Sequence, residues 1–148
     1  MKWLLDTNVV SENVRPLPNR SVVAWIAQRP PAQTAISIIT IAELRVGALS
    51  AGNQERRIEI ARWIEDEIMN SFAGRVLPLT TDILIDWLQL GQRFATKGKT
   101  RAPADLLIAC TARVHDLIVV SRNVRDFAET GIVVYDPWSD KTRHMDMP

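Results

Sequence analysis

A chain of 148 residues, 47% hydrophobic and 24% charged, has the composition of one compact domain with a buried core and is too short for two ordinary ones. No run approaches the roughly 18 consecutive apolar residues of a membrane span, and Cys110, the single cysteine, excludes an internal disulfide and suits the cytoplasm. A formal net charge of +1 leaves any nucleic-acid contact to local clusters rather than to a global excess.

The first apolar stretch, residues 3–5, follows one lysine and ends in a charge, so no signal peptide is expected. It reads as a buried strand that runs into Asp6, Thr7 and Asn8, where Asp or Asn suits the N-cap of a short following helix. A helical pattern over 22–27 precedes a second strand at 35–39. The helix expected over 41–49 carries Glu43, whose neighbours four before and three after are Ile39 and Val46. A carboxylate there lies on or beside an apolar face, where an unpaired charge is costly. The plainer reading is a solvent-facing Glu on an amphipathic helix.

A long amphipathic helix around 55–72 carries Arg56, Arg57 and Arg62, and a third strand at 76–79 and a helix at 82–94 follow. Lys97, Lys99 and Arg101 form a second basic cluster. The helix over 104–114 opens with Asp105, which leads a stripe of Ile108, Ala109 and Ala112 at three- and four-residue spacing. Pro103 ahead of it, and an acid in the first turn, are ordinary helix-start chemistry. That accounts for an acid, but not for one heading an apolar stripe. The strand at 117–120 runs into Ser121, Arg122 and Asn123, with Arg125 and Asp126 just beyond; an Asx turn explains either Asn123 or Asp126 alone. A fifth strand is expected at 132–135. The remainder (WSDKTRHMDMP) has no periodicity, so the chain divides into a domain over 1–138 and a flexible tail over 139–148.

Strands alternating with helices imply crossover connections: an α/β fold, a three-layer α/β/α sandwich around a parallel sheet of about five strands. Ligands of such sheets bind beyond the carboxyl ends of the strands. Asp6, Asn8, Ser121 and Asn123 are therefore the first candidates, joined by Glu43, Asp105 and Asp126. Acids converging at one sheet edge repel one another unless a cation is present, and hard oxygen ligands select Mg²⁺ or Mn²⁺. Two such ions can stabilise both the attacking and the leaving oxygen of a phosphodiester.

The stretches LLDTNVVSE, ITIAELRVG, PADLLIACTA and VVSRNVRDF resemble those of PIN-domain nucleases in order and spacing, spanning Leu4 to Phe127. SENVRPLPNRSVVAW and VYDPW resemble the FitB-type branch of the VapC toxins within that family. The resemblance implies Mg²⁺-dependent RNA hydrolysis by metal-activated water, with Mn²⁺ able to substitute. Acids matching Asp6, Glu43 and Asp105 would carry it, with Asp6 and Asp105 as metal ligands. The fourth family position falls on Asn123 or Asp126, and Asp126 is favoured as the charged participant, with Asn8, Ser121 and Asn123 as polar support. Also implied are a homodimer, a cytoplasmic location, and a cognate antitoxin whose DNA-binding segment alone contacts operator DNA. The competing class is a PIN-like binding subunit that holds such an antitoxin on DNA with weak or no nuclease activity.

Other readings fail on particular residues. Gly98-Lys99-Thr100 lacks the earlier glycine of a phosphate-binding loop, because Arg93 stands there. A dehalogenase-like phosphatase needs an acid where Asn8 lies. His115 and His144, the only histidines, sit after a helix and in the tail, so a histidine-based nuclease is not expected. Asp82 reads as first-turn helix chemistry, and Trp25, Trp63 and Trp87 as core or dimer contacts rather than base-stacking platforms.

Overall fold

The computed structural model describes residues 1–147. Five parallel strands and one antiparallel strand form a single sheet in the order β3-β2-β1-β4-β5-β6, with β1 Trp3–Leu5, β2 Thr34–Ser37, β3 Val76–Leu77, β4 Ile118–Val120, β5 Val133–Asp136 and β6 Lys141–His144. The helices are α1 Thr7–Glu12, α2 Arg20–Ala27, α3 Ile38–Leu49, α4 Gln54–Arg62, a π-helical continuation Trp63–Ile68 into α5 Met69–Ser71, α6 Thr81–Thr96 and α7 Pro103–Val114. The α/β sandwich expected from the sequence is present.

Strand β1 shows why two faces are covered. Successive side chains point to opposite faces of a strand, so Leu5 packs with Val9, Val22, Trp25 and Ile64 while Leu4 packs with Ile108, Ala109 and Phe127. Helix α7 is buried on two sides: Ile108, Ala109 and Ala112 meet the sheet, and Leu106 and Cys110 meet Ile83, Leu90 and Phe94 of α6. Trp25 is core, and Trp63 and Trp87 pack partly buried against their clusters. Among the described residues no helix is long and apolar enough to cross a membrane.

Two expectations need correction. The strand predicted at 35–39 ends at Ser37, because the Ser37 hydroxyl accepts the Ile39 N–H and caps α3, drawing Ile38 and Ile39 into the helix. The stretch expected to be a structureless tail supplies β6, which pairs antiparallel with β5 from Val133↔His144 to Asp136↔Lys141. Its pairing continues as Met145 N–H donates to Ile132 O and Gly131 N–H to Asp146 O. Gly131 has φ of 72° and lies against the Met147 side chain, where a Cβ would collide. The exposed edge of β5 supplies hydrogen-bonding groups, so a segment with no apolar alternation becomes a strand. Pro148, the last residue of that predicted tail, lies outside the described residues.

Candidate active site

The chain leaves β1 for β2 and β3 on one side of the sheet, then crosses to β4 and β5 on the other. The reversal lies between β1 and β4, where ligands of open α/β sheets bind at the carboxyl ends. Asp6 follows β1 and Ser121 follows β4, and Asp6 N–H donates to Val120 O at 3.0 Å. Backbone pairing therefore brings together two residues 115 positions apart.

Asp6 is 5% exposed and has both oxygens engaged. Oδ1 accepts Thr7 N–H at 2.8 Å, as expected of a helix N-cap. Oδ2 accepts the Ser121 hydroxyl at 2.6 Å and Asn8 Nδ2 at 2.7 Å. Asn8 Nδ2 also reaches Ser121 Oγ at 3.1 Å, and Arg122 N–H donates to Asn8 Oδ1 at 3.1 Å. Asn123 N–H donates to Ser121 Oγ at 3.0 Å. Thus Asn8 and Ser121 hold the Asp6 carboxylate in one orientation and tie the loop after β4 to α1. Burial raises the Asp6 pKa, with the charge of Glu43 adding to it, against the hydrogen bonds from Ser121, Thr7 and Asn8.

Glu43, half-buried on α3, accepts the Thr7 hydroxyl through Oε2. This contact orients Glu43 toward α1, and no pattern in the sequence pairs the two residues. Glu12, in the same motif, is buried and accepts Asn19 N–H at 2.7 Å and Arg15 Nη1 at 3.3 Å, so it pins the loop between α1 and α2.

Asp105, half-buried in the first turn of α7, makes no hydrogen bond or ion pair among the described residues. Its carboxyl is pushed up to about 6, first by burial and then by the charges of Asp126, Asp6 and Glu43. The four acids singled out in the sequence therefore share one electrostatic site. Asp126 lies exposed on the 3₁₀ turn Val124–Phe127, and its charge reaches Asp105. Asn123 contributes its backbone N–H, and its side chain makes no cap.

Among the described residues no three acidic, histidine or cysteine groups are drawn together tightly enough to enclose a metal ion by themselves. The donor chemistry still fits a hard cation: all four groups are carboxylates, and Asp105 has no other partner to offset its charge. Mg²⁺ usually takes only one or two carboxylates and keeps several waters, which an open set of this kind allows.

Residues 3–133 match the family model described as PIN domain. Toxin FitB of Neisseria gonorrhoeae is 39% identical over 137 residues, covering 93% of this chain and 99% of that protein. A VapC ribonuclease of Sinorhizobium fredii is 36% identical over 135 residues, covering 91% of this chain and 96% of that one. A solved structure of FitAB bound to a DNA fragment superposes with a TM-score of 0.83 at 37% identity, over 92% of this chain and 95% of that one.

Proposed function

The chain belongs to the PIN-domain family, and we propose that it is an endoribonuclease of the VapC–FitB kind, the toxin half of a toxin–antitoxin pair, which hydrolyses RNA phosphodiesters with Mg²⁺ or Mn²⁺. Asp105 carries this reading. A half-buried carboxylate without a partner, in the field of three other acids, disfavours folding unless the site serves a cation. An acidic pocket would also repel RNA without one.

Asp6 and Asp105 are the proposed ligands. A bound Mg²⁺ or Mn²⁺ would supply Lewis-acid stabilisation of charge on the phosphate and a more acidic water. Ser121 and Asn8 keep the Asp6 oxygens aimed, which spares the site reorganisation during reaction. Glu43, aligned by Thr7, and Asp126 at the exposed rim complete the acidic pocket and orient the attacking water.

The VapC relative is called a ribonuclease and the FitAB structure contains DNA. Both support a toxin that acts on RNA and assembles with a DNA-binding partner; in this reading the chain is cytoplasmic, and its antitoxin blocks the site and alone touches operator DNA. The FitAB structure equally favours the second reading, a PIN-like subunit that holds a DNA-binding partner in place. A homodimer fits the apolar face of α6, where Leu84, Ile85 and Leu88 are 39%, 49% and 59% exposed; a monomer by sedimentation at micromolar concentration would remove that assembly.

Cleavage of labelled RNA by the purified chain separates the two readings. We expect cutting with Mg²⁺ or Mn²⁺ and none with EDTA. The metals should also raise the melting temperature, because an ion bound only by the folded state stabilises it. The shift should shrink strongly in Asp6→Asn. Intact RNA together with metal-independent melting would leave only the binding-subunit reading.

A further inference from the structure

The basic clusters seen in the sequence meet different fates in the fold. Lys99 and Arg101 are drawn to Glu129, at 2.7 Å and 3.7 Å, and Arg56 pairs with Glu59 at 3.1 Å. Arg122 and Arg125 enter no ion pair among the described residues, and β6 brings Lys141 and Arg143 opposite them. These four cations line an open cleft of about 800 Å³ together with Asp126 and Asp136. Asp136 is occupied within its own turn, accepting Trp138 N–H at 2.8 Å and the Ser139 hydroxyl at 2.6 Å. The Arg122 guanidinium lies 5.6 Å from the centre of the Trp138 ring, so one wall is propped by a cation–π contact.

We propose that β6 and the loop after β4 form the two walls of a track for RNA phosphates leading into the acidic centre. The inference rests on the ribonuclease reading of that centre. Lys141 and Arg143 are two apart on a strand, so their side chains leave the same face about 7 Å apart, a spacing that neighbouring phosphates of an extended single strand can meet. All four cations are exposed and unpaired, so a polyanion displaces only water and salt ions to reach them. Two residues of the cleft, Arg122 and Asn123, are tied through their backbone N–H groups to Asn8 and Ser121, the supports of Asp6, so a strand lying in the cleft abuts the acidic centre. Strand β6 lies beyond residues 3–133, the stretch that matches the PIN model.

The test is equilibrium binding of a fluorescent, mixed-sequence single-stranded RNA oligonucleotide to the full chain carrying Asp105→Asn, with Mg²⁺ present and the substitution keeping the RNA intact. Adding Lys141→Gln and Arg143→Gln should weaken binding several-fold and flatten the plot of log affinity against log salt by about 0.7 for each lost phosphate contact. Arg56→Gln with Arg57→Gln on α4 should leave that slope unchanged. In the cleavage-competent chain, the Lys141 and Arg143 substitutions should act on KM more than on kcat. A slope unchanged by them, with normal cleavage by the wild-type chain, overturns the track alone. An equal flattening by the α4 substitutions also overturns it, because charge anywhere would then suffice. No cleavage by the wild-type chain and no RNA binding by its Asp105→Asn form overturns the ribonuclease reading with it.

Discussion

The acidic centre and the basic cleft meet at Asp126 but are built on opposite plans. In the centre, Asp6 is buried with both oxygens engaged, and its supports Asn8 and Ser121 are themselves tied to the loop after β4. In the cleft, Arg122, Arg125, Lys141 and Arg143 stand in solvent without ion pairs among the described residues. The contrast follows from what each charge does. Carboxylates that position reacting atoms must not move, because a displacement of about 1 Å can cost two orders of magnitude in rate. Cations that attract a polyanion act through a screened field about 8–10 Å in reach and tolerate mobile side chains. Substitutions in the centre should therefore act steeply and depend on geometry, and those in the cleft gradually and with salt.

The largest effect is expected from Asp105→Asn, which keeps the shape and removes a hard anionic ligand. RNA cleavage should fall by about three orders of magnitude or more, on the scale of losing a group that acts in the transition state. Metal-free stability should hold or rise, since one repulsive charge is gone. If Asp105 served only the helix dipole, the variant would instead lose roughly 0.3–1 kcal/mol and keep its activity. Melting curves and cleavage rates on the same preparations decide between the two.

Ser121→Ala comes next, because it tests orientation without touching a carboxylate. Removing the hydroxyl leaves buried Asp6 Oδ2 with Asn8 alone and deprives Asn8 Nδ2 and Asn123 N–H of a partner. Cleavage should drop roughly 10–100-fold, as for losing a group that orients a metal ligand, with about 1–3 kcal/mol lost in urea unfolding. A variant as active as the parent would show that the Ser121 contact does not set the Asp6 geometry.

The smallest effect is in pH. Below about pH 4 Asp105 is protonated in both folded and unfolded chains. As pH rises toward 6, the unfolded chain ionises first while the folded state holds its proton, so stability supplied by the neutral carboxyl is lost through the raised value of about 6. With EDTA present, the chain should lose about 1–2 kcal/mol of stability across that window, a figure reduced for solvent screening around a half-exposed group. Asp105→Asn should flatten the profile there, and bound metal should oppose the loss. An identical profile in the variant would assign the pH dependence to other groups.

Local chemistry made much of this readable in the sequence. Apolar runs of three to five residues marked the five parallel strands, and an acid leading the stripe Ile108, Ala109 and Ala112 marked Asp105, because side-chain periodicity needs only neighbours in the chain. Boundaries slipped where a side chain chose between two elements, as Ser37 did in capping α3. The tertiary structure alone decided three things. Parallel pairing of β1 with β4 set Ser121 on Asp6 across 115 positions. Packing of α1 beside α3 set the Thr7 hydroxyl on Glu43. The open edge of β5 made a strand of Lys141–His144, whose four side chains are all exposed and so leave no apolar pattern to detect. Which residues carry charge and favour a helix or strand is encoded locally. Which charges meet is fixed by hydrogen-bond ladders and packing between distant segments, and no window along the chain contains both partners.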